Sequence, residues 1–146
     1  MAESDTGLNS KKYLTGLTFY RQIHYYRSIM PAQKEILVVN DGNYKDFLPH
    51  PYVVLMMGIK GGGACERTKS YLTEIARVYT EVNFGIAWVN HWNEIQDFED
   101  DHPDLFDAYD RPPTTLFIKE LVIKGWLSGF YPKDDISKRV ALLLDV

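Results

Sequence analysis

The sequence predicts an α/β domain, a three-layer sandwich in which a mixed central sheet carries helices on both faces, entered through a helical amino-terminal extension. Three observations carry that expectation. Short β-branched and apolar runs alternate with stretches whose apolar residues recur at helical spacing. A strand, a glycine-rich turn and a helix follow one another directly within residues 52–81. The last two strands form a hairpin before a closing helix. The order βαβαβαββα therefore begins with helical crossovers, whose fixed handedness leaves few topologies.

Taken in order, the extension places Phe19, Ile23, Tyr26 and Met30 on one helical stripe while Arg21, His24 and Ser28 point away, so residues 13–29 read as a helix that Pro31 stops. A β-rich run, Glu35 to Asn40, ends in the turn signal Asn40-Asp41-Gly42, and a short helix, Asn43 to Leu48, follows. The strand Tyr52 to Ile59 leads into Gly61-Gly62-Gly63. Leu72, Ile75, Ala76 and Tyr79 then mark the apolar face of a helix from about Cys65 to Glu81. After a strand at Val82 to Val89 comes an acidic stretch, Glu94 to Asp110, with eight carboxylates and no lysine or arginine. Pro103 to Tyr109 within it reads as a short helix with proline in the first turn. Strands at Thr114 to Lys119 and Ile123 to Gly129 precede a helix from Asp134 to Leu144, which buries Ile136, Val140, Leu143 and Leu144.

At 146 residues, 45% apolar and 25% charged, the chain has the balance of an ordinary globular protein, which sets aside collagen-like, low-complexity and disordered classes. Its single cysteine, Cys65, excludes an intramolecular disulfide, a four-cysteine metal site and dithiol chemistry within one chain. Net charge is −4, without the basic excess of nucleic-acid-binding domains. Residues 1–34 hold five basic side chains against two acidic ones, leaving −7 on the remainder. No run reaches the ~18 apolar residues of a membrane span, since Tyr52 to Met57 ends at Gly58, and a secretory signal is not expected.

Across about residues 35–146 the order of elements resembles the thioredoxin superfamily. In that family a Trp-Cys-x-x-Cys turn precedes a helix that reads much like Leu72-Thr73-Glu74-Ile75-Ala76-Arg77-Val78-Tyr79, and counting back sets Cys65 on the second cysteine. Pro113-Thr114 resembles the family's cis-proline and threonine, Gly129 its hairpin-ending glycine, and Asp135 to Val140 its terminal helix. The resemblance implies a domain at 35–146 behind an arm at 1–34. It also implies a degenerate active site marked by Gly62, Cys65 and Pro113, with Gly-Gly-Ala-Cys in place of Cys-x-x-Cys. Gly62 replaces the nucleophilic cysteine, Gly61 the preceding tryptophan, and Met56 the buried acid that moves the resolving thiol's proton. Without an attacking thiolate the exchange cycle has no first step. Pro112 removes an amide that would pair an extended substrate, and Trp92 to Asp101 is an insertion.

Each remaining feature has two readings. Cys65 is either a monothiol nucleophile in the first turn of a helix or a small buried hydrophobe, and the second is preferred. The triple glycine lacks a following Gly-Lys-Ser/Thr and serves as a tight turn rather than a phosphate cradle. Histidines 24, 50, 91 and 102 show no metal-ligand spacing. The acidic stretch lacks calcium-loop spacing and is expected to be a solvated loop. The expected function is therefore a redox-inactive structural or adaptor subunit of a larger assembly, with protein subunits as partners gripped through Phe19, Ile23, Tyr26 and Met30. No cofactor, metal, nucleic acid or small-molecule substrate is expected. Mitochondrial complexes and cytoskeletal motors are the two hosts such thioredoxin-like subunits imply, and an intracellular site with the mitochondrion slightly favoured over the cytoplasm is expected, because the arm is free of acids from Thr6 to Lys34, although Glu3 and Asp5 precede it. The alternative is a monothiol thioredoxin- or glutaredoxin-like oxidoreductase, or a glutathione-binding protein, using Cys65.

Overall fold

A computed structural model describes residues 36–145. The expected helix at 13–29, its Phe19, Ile23, Tyr26 and Met30 stripe, and the arm-to-domain boundary lie outside the described residues. The elements are β1 (Leu37–Val38), α1 (Tyr44–Phe47), β2 (Tyr52–Gly58), α2 (Gly63–Val78) and β3 (Asn83–Trp88). Then come a 3-10 segment (Val89–Glu94) kinked at His91, α3 (Gln96–Asp101), α4 (Pro103–Asp107), β4 (Thr114–Lys119), β5 (Val122–Ser128) and α5 (Lys133–Asp145). They form a five-stranded mixed sheet in the order β1-β3-β2-β4-β5, with β1, β3 and β2 parallel and β4 and β5 antiparallel to their neighbours.

The period of two along β2 builds both faces at once. Val54 and Met56 join Phe84, Ile86, Trp88 and Phe117 in a core under α2 and α5, whose Leu72, Ile75, Ile136, Val140 and Leu143 close it. Val53, Leu55 and Met57 enter a second core with Leu116 and Ile118, covered by Tyr44, Phe47 and Leu48 from the α1 side and Ile95, Phe98 and Leu105 from α3 and α4. Every residue of β2 after Tyr52 is buried, as a central strand covered on both faces must be. Each fully buried Leu, Ile or Phe contributes about 1.5–3 kcal/mol.

One expectation is overturned. The acidic stretch is not a solvated loop, because Ile95, Phe98 and Leu105 are buried while its carboxylates point outward, so α3 and α4 dock as short amphipathic turns. The β1–α1 turn clasps them. Asp41 donates its amide to the Glu94 carbonyl at 2.8 Å, the Phe98 amide donates to Asp41 Oδ1 at 2.9 Å, and the Tyr44 hydroxyl donates to Asp101 Oδ2. The Tyr44 and Phe98 rings stack with centroids 5.1 Å apart. Boundaries shift elsewhere: the first strand pairs over two residues instead of six, and α2 starts at Gly63 and ends at Val78.

The β4–β5 hairpin closes with a two-residue loop, since Lys119 pairs with Val122. Both loop residues, Glu120 and Leu121, sit at positive φ, 50° and 67°. A type I′ hairpin loop demands that conformation, and Asn-Gly is its usual occupant because a branched Cβ is crowded there.

Candidate functional site

The site lies where β2 ends and α2 begins. The Gly62 amide donates to the Ile59 carbonyl at 3.0 Å, and the Gly62 carbonyl accepts the Glu66 amide at 2.9 Å, starting the helix. Gly62 is the N-cap, in extended conformation (φ −76°, ψ 135°), and offers no side chain at the helix start. Gly61 takes φ 94°, and its amide meets Glu66 Oε2 at 3.3 Å. Just before it, the Lys60 amide donates to Asn90 Oδ1 at 3.0 Å while Asn90 Nδ2 donates to the Lys60 carbonyl at 3.4 Å, so one carboxamide satisfies both backbone polar groups of one residue.

Cys65 is only 2% exposed, on the sheet-facing side of α2 with Leu72 and Ile75. Its Sγ accepts the Ile59 amide at 3.3 Å. A Cβ added at Gly58 would stand 2.9 Å from that sulfur and 3.2 Å from Met56 Cε, so the thiol presses on bare backbone beside a thioether methyl. Met56 is fully buried in the same core, and its apolar end supplies no proton acceptor. Nearby, Tyr109 has its hydroxyl pushed above the ordinary range, first by burial and second by the charge of Cys65.

Antiparallel register pairs Met57 with Thr114, so one step further sets Pro113 beside Gly58. Gly62, Cys65 and Pro113 thus gather at one end of the sheet. The Pro112–Pro113 peptide bond is cis, Pro113 is buried and Pro112 exposed. Thr114 Oγ1 donates to the Arg111 carbonyl at 2.7 Å and accepts the Asp110 amide at 3.1 Å. Ser128 Oγ donates to Asp110 Oδ2 at 2.9 Å, and the Gly129 amide donates to the Pro113 carbonyl at 2.8 Å. These bonds fasten the proline loop to the end of β5.

Gly58, Ile59, Asn90 and Tyr109 belong to the site, and sequence patterns alone do not single them out as its members. Gly58 marks only the end of an apolar run, while Asn90 and Tyr109 act across long sequence separations that no local pattern reveals. Among the described residues no group of three or more His, Cys, Asp or Glu is arranged to hold a metal ion, and no helix is long and apolar enough to cross a membrane.

The chain path matches that of solved thioredoxins. It overlays a point mutant of the thioredoxin from Halobacterium salinarum NRC-1 with a TM-score of 0.62 at 13% identity, covering 80% of this chain and 97% of that one. Thioredoxin f from spinach chloroplast, in its short form, gives 0.62 at 18% identity over 80% of this chain and 99% of that one. A chain from the structure describing thiol resolution in yeast mitochondrial 1-Cys peroxiredoxin via glutathione and thioredoxin systems gives 0.58 at 15% identity, over 76% and 98%. No protein-family model and no curated protein matches the sequence. The chain has the thioredoxin fold, and the fold alone does not assign an activity.

Proposed function

We propose that this protein is a redox-inactive thioredoxin-fold subunit that serves as a structural or adaptor component of a larger multiprotein assembly, with a mitochondrial complex as its favoured host. The observation that supports this reading best is the state of its one sulfur. Cys65 is the sequence's only thiol, it is packed behind Gly58 and Met56, and the residue opening its helix is a glycine. Dithiol exchange needs an exposed thiolate and a second sulfur to resolve the mixed disulfide. The docked acidic helices α3 and α4 add outward-facing charge suited to partners rather than to a reaction. Purifying the full chain at native abundance from fractionated cells tests the proposal. Stable co-purification with the same protein subunits, in the mitochondrial fraction, is the expected result, and deletion of residues 1–31 with Phe19, Ile23, Tyr26 and Met30 should release the chain from them.

A second reading has one observation in its favour. The Ile59 amide donates to Cys65 Sγ within the first turn of α2, where backbone donors favour a thiolate. Insulin-disulfide reduction together with the pH dependence of Cys65 alkylation separates the two. Turnover that Cys65→Ser abolishes would establish a monothiol enzyme, whereas no turnover and slow alkylation in the folded chain are expected of the adaptor.

A further inference from the structure

The last strand of the sheet poses a problem that a general property of edges makes plain. β5 is seven residues long, pairs only with β4 among the described residues, and presents Val122 and Trp126 to solvent, 54% and 53% exposed. A long apolar edge of this kind is a template for another strand. Since the Gly129 amide bonds to the Pro113 carbonyl just before β4, alternation along the strand turns the amide and carbonyl of both Ser128 and Trp126 outward. Both outward carbonyls have a guanidinium against them. Arg111 Nη2 lies 3.5 Å from the Ser128 carbonyl, and Arg139 Nη2, reaching over from α5, lies 3.5 Å from that of Trp126. The path of Arg139 is built in: its guanidinium crosses the Phe117 ring at 5.3 Å and passes over Gly125, where an added Cβ would stand 2.5 Å from Nη2.

We infer that Arg139 and Arg111 are edge guards, which occupy the acceptors an incoming strand would use and so keep β5 from pairing with β5 of a second copy of this chain. A second strand would have to expel two charged groups from the edge and leave them against its own backbone. Gly125 is the enabling residue, because a Cβ there would overlap the end of the guanidinium and push it aside.

Sedimentation velocity over a range of concentrations tests this on the full chain. Gly125→Ala, which displaces Arg139 without deleting it, and the pair Arg111→Ala with Arg139→Ala should each raise the self-association constant over the unmodified chain by about tenfold or more. Adding Trp126→Pro should return association to the starting level, since Trp126 donates no amide to β4 and proline is tolerated at such an edge. Adding Trp126→Ser should leave much of it. If Gly125→Ala and the double variant associate no more than the unmodified chain, the inference is overturned. Should Trp126→Ser suppress association as completely as Trp126→Pro, the contact is an apolar patch and the guard assignment is equally wrong. Far-ultraviolet circular dichroism reports folding, and if the double variant does not fold then Gly125→Ala alone decides.

Discussion

The carboxylate of Asp41 accepts the backbone amide of Phe98 at 2.9 Å across 57 residues, so the turn after β1 caps a helix that its own flanking sequence leaves uncapped. Ile95, the residue at the cap position, has no side-chain acceptor. Asp41→Ala should therefore destabilise the domain by about 1 kcal/mol, with Asp41→Asn costing less. Urea unfolding measures the loss. Amide exchange across residues 96–101 should quicken first, because α3 is the element released.

Tyr44 supplies the pH dependence of the same clasp. Its hydroxyl donates to Asp101, and this bond, followed by burial and then the nearby carboxylate charges, pushes its pKa from 10.0 up to about 12. The native state thus keeps the proton through a window in which the unfolded chain loses it. Stability from this group is fully present below pH 10 and is lost as pH rises toward 12. Tyr44→Phe should be less stable than the unmodified chain at neutral pH, and the gap should narrow across that alkaline window. Thermal unfolding at stepped pH checks the sign. In an ultraviolet titration the late-ionising phase should shrink by one tyrosine in the variant.

Relief of the hairpin loop should work in the opposite direction. Glu120 and Leu121 both occupy the left-handed region, where an L side chain meets its own backbone. Replacing the pair by Asn-Gly should stabilise the protein by about 1 kcal/mol, after allowing for the extra freedom glycine gives the unfolded chain. The urea midpoint should rise with an unchanged slope.

Gly58 and Cys65 form a close pair whose energetics a double-mutant cycle can isolate. A methyl at position 58 would overlap the sulfur, so Gly58→Ala should destabilise by about 1–3 kcal/mol. In a Cys65→Ala background much of that loss should disappear, giving a coupling of about 0.5–3 kcal/mol. Additive effects would mean that Met56, not the sulfur, sets the limit on space.

Much of this architecture is written in local patterns. The alternation Val53-Val54-Leu55-Met56-Met57 and the spacing of Leu72 and Ile75 announce a covered strand and an amphipathic helix, because burial imposes those periods wherever the partners come from. Sequence reasoning starts helix α2 two residues late because glycine is a poor helix former, and position 63 looks like part of the turn. The acidic stretch misleads for a different reason. Eight carboxylates dominate its composition, while the informative residues are Ile95, Phe98 and Leu105 among them. Of the site, the placement of Cys65 on the sheltered face of a helix is legible. The crowding by Gly58 and the bonds made by Asp41 and Asn90 are not, since they arise only when distant segments are brought side by side.

The carboxamide of Asn90 behaves as a one-residue strand laid against Lys60. A stretch with three successive glycines ought to be the slackest part of a chain, yet here the residue leading into it is tied to the segment that carries the exposed ring of Trp92. Two hydrogen bonds from one side chain make that tie. Pulling that segment away breaks both bonds at once, so what holds the glycine turn still is a side chain thirty positions along the chain.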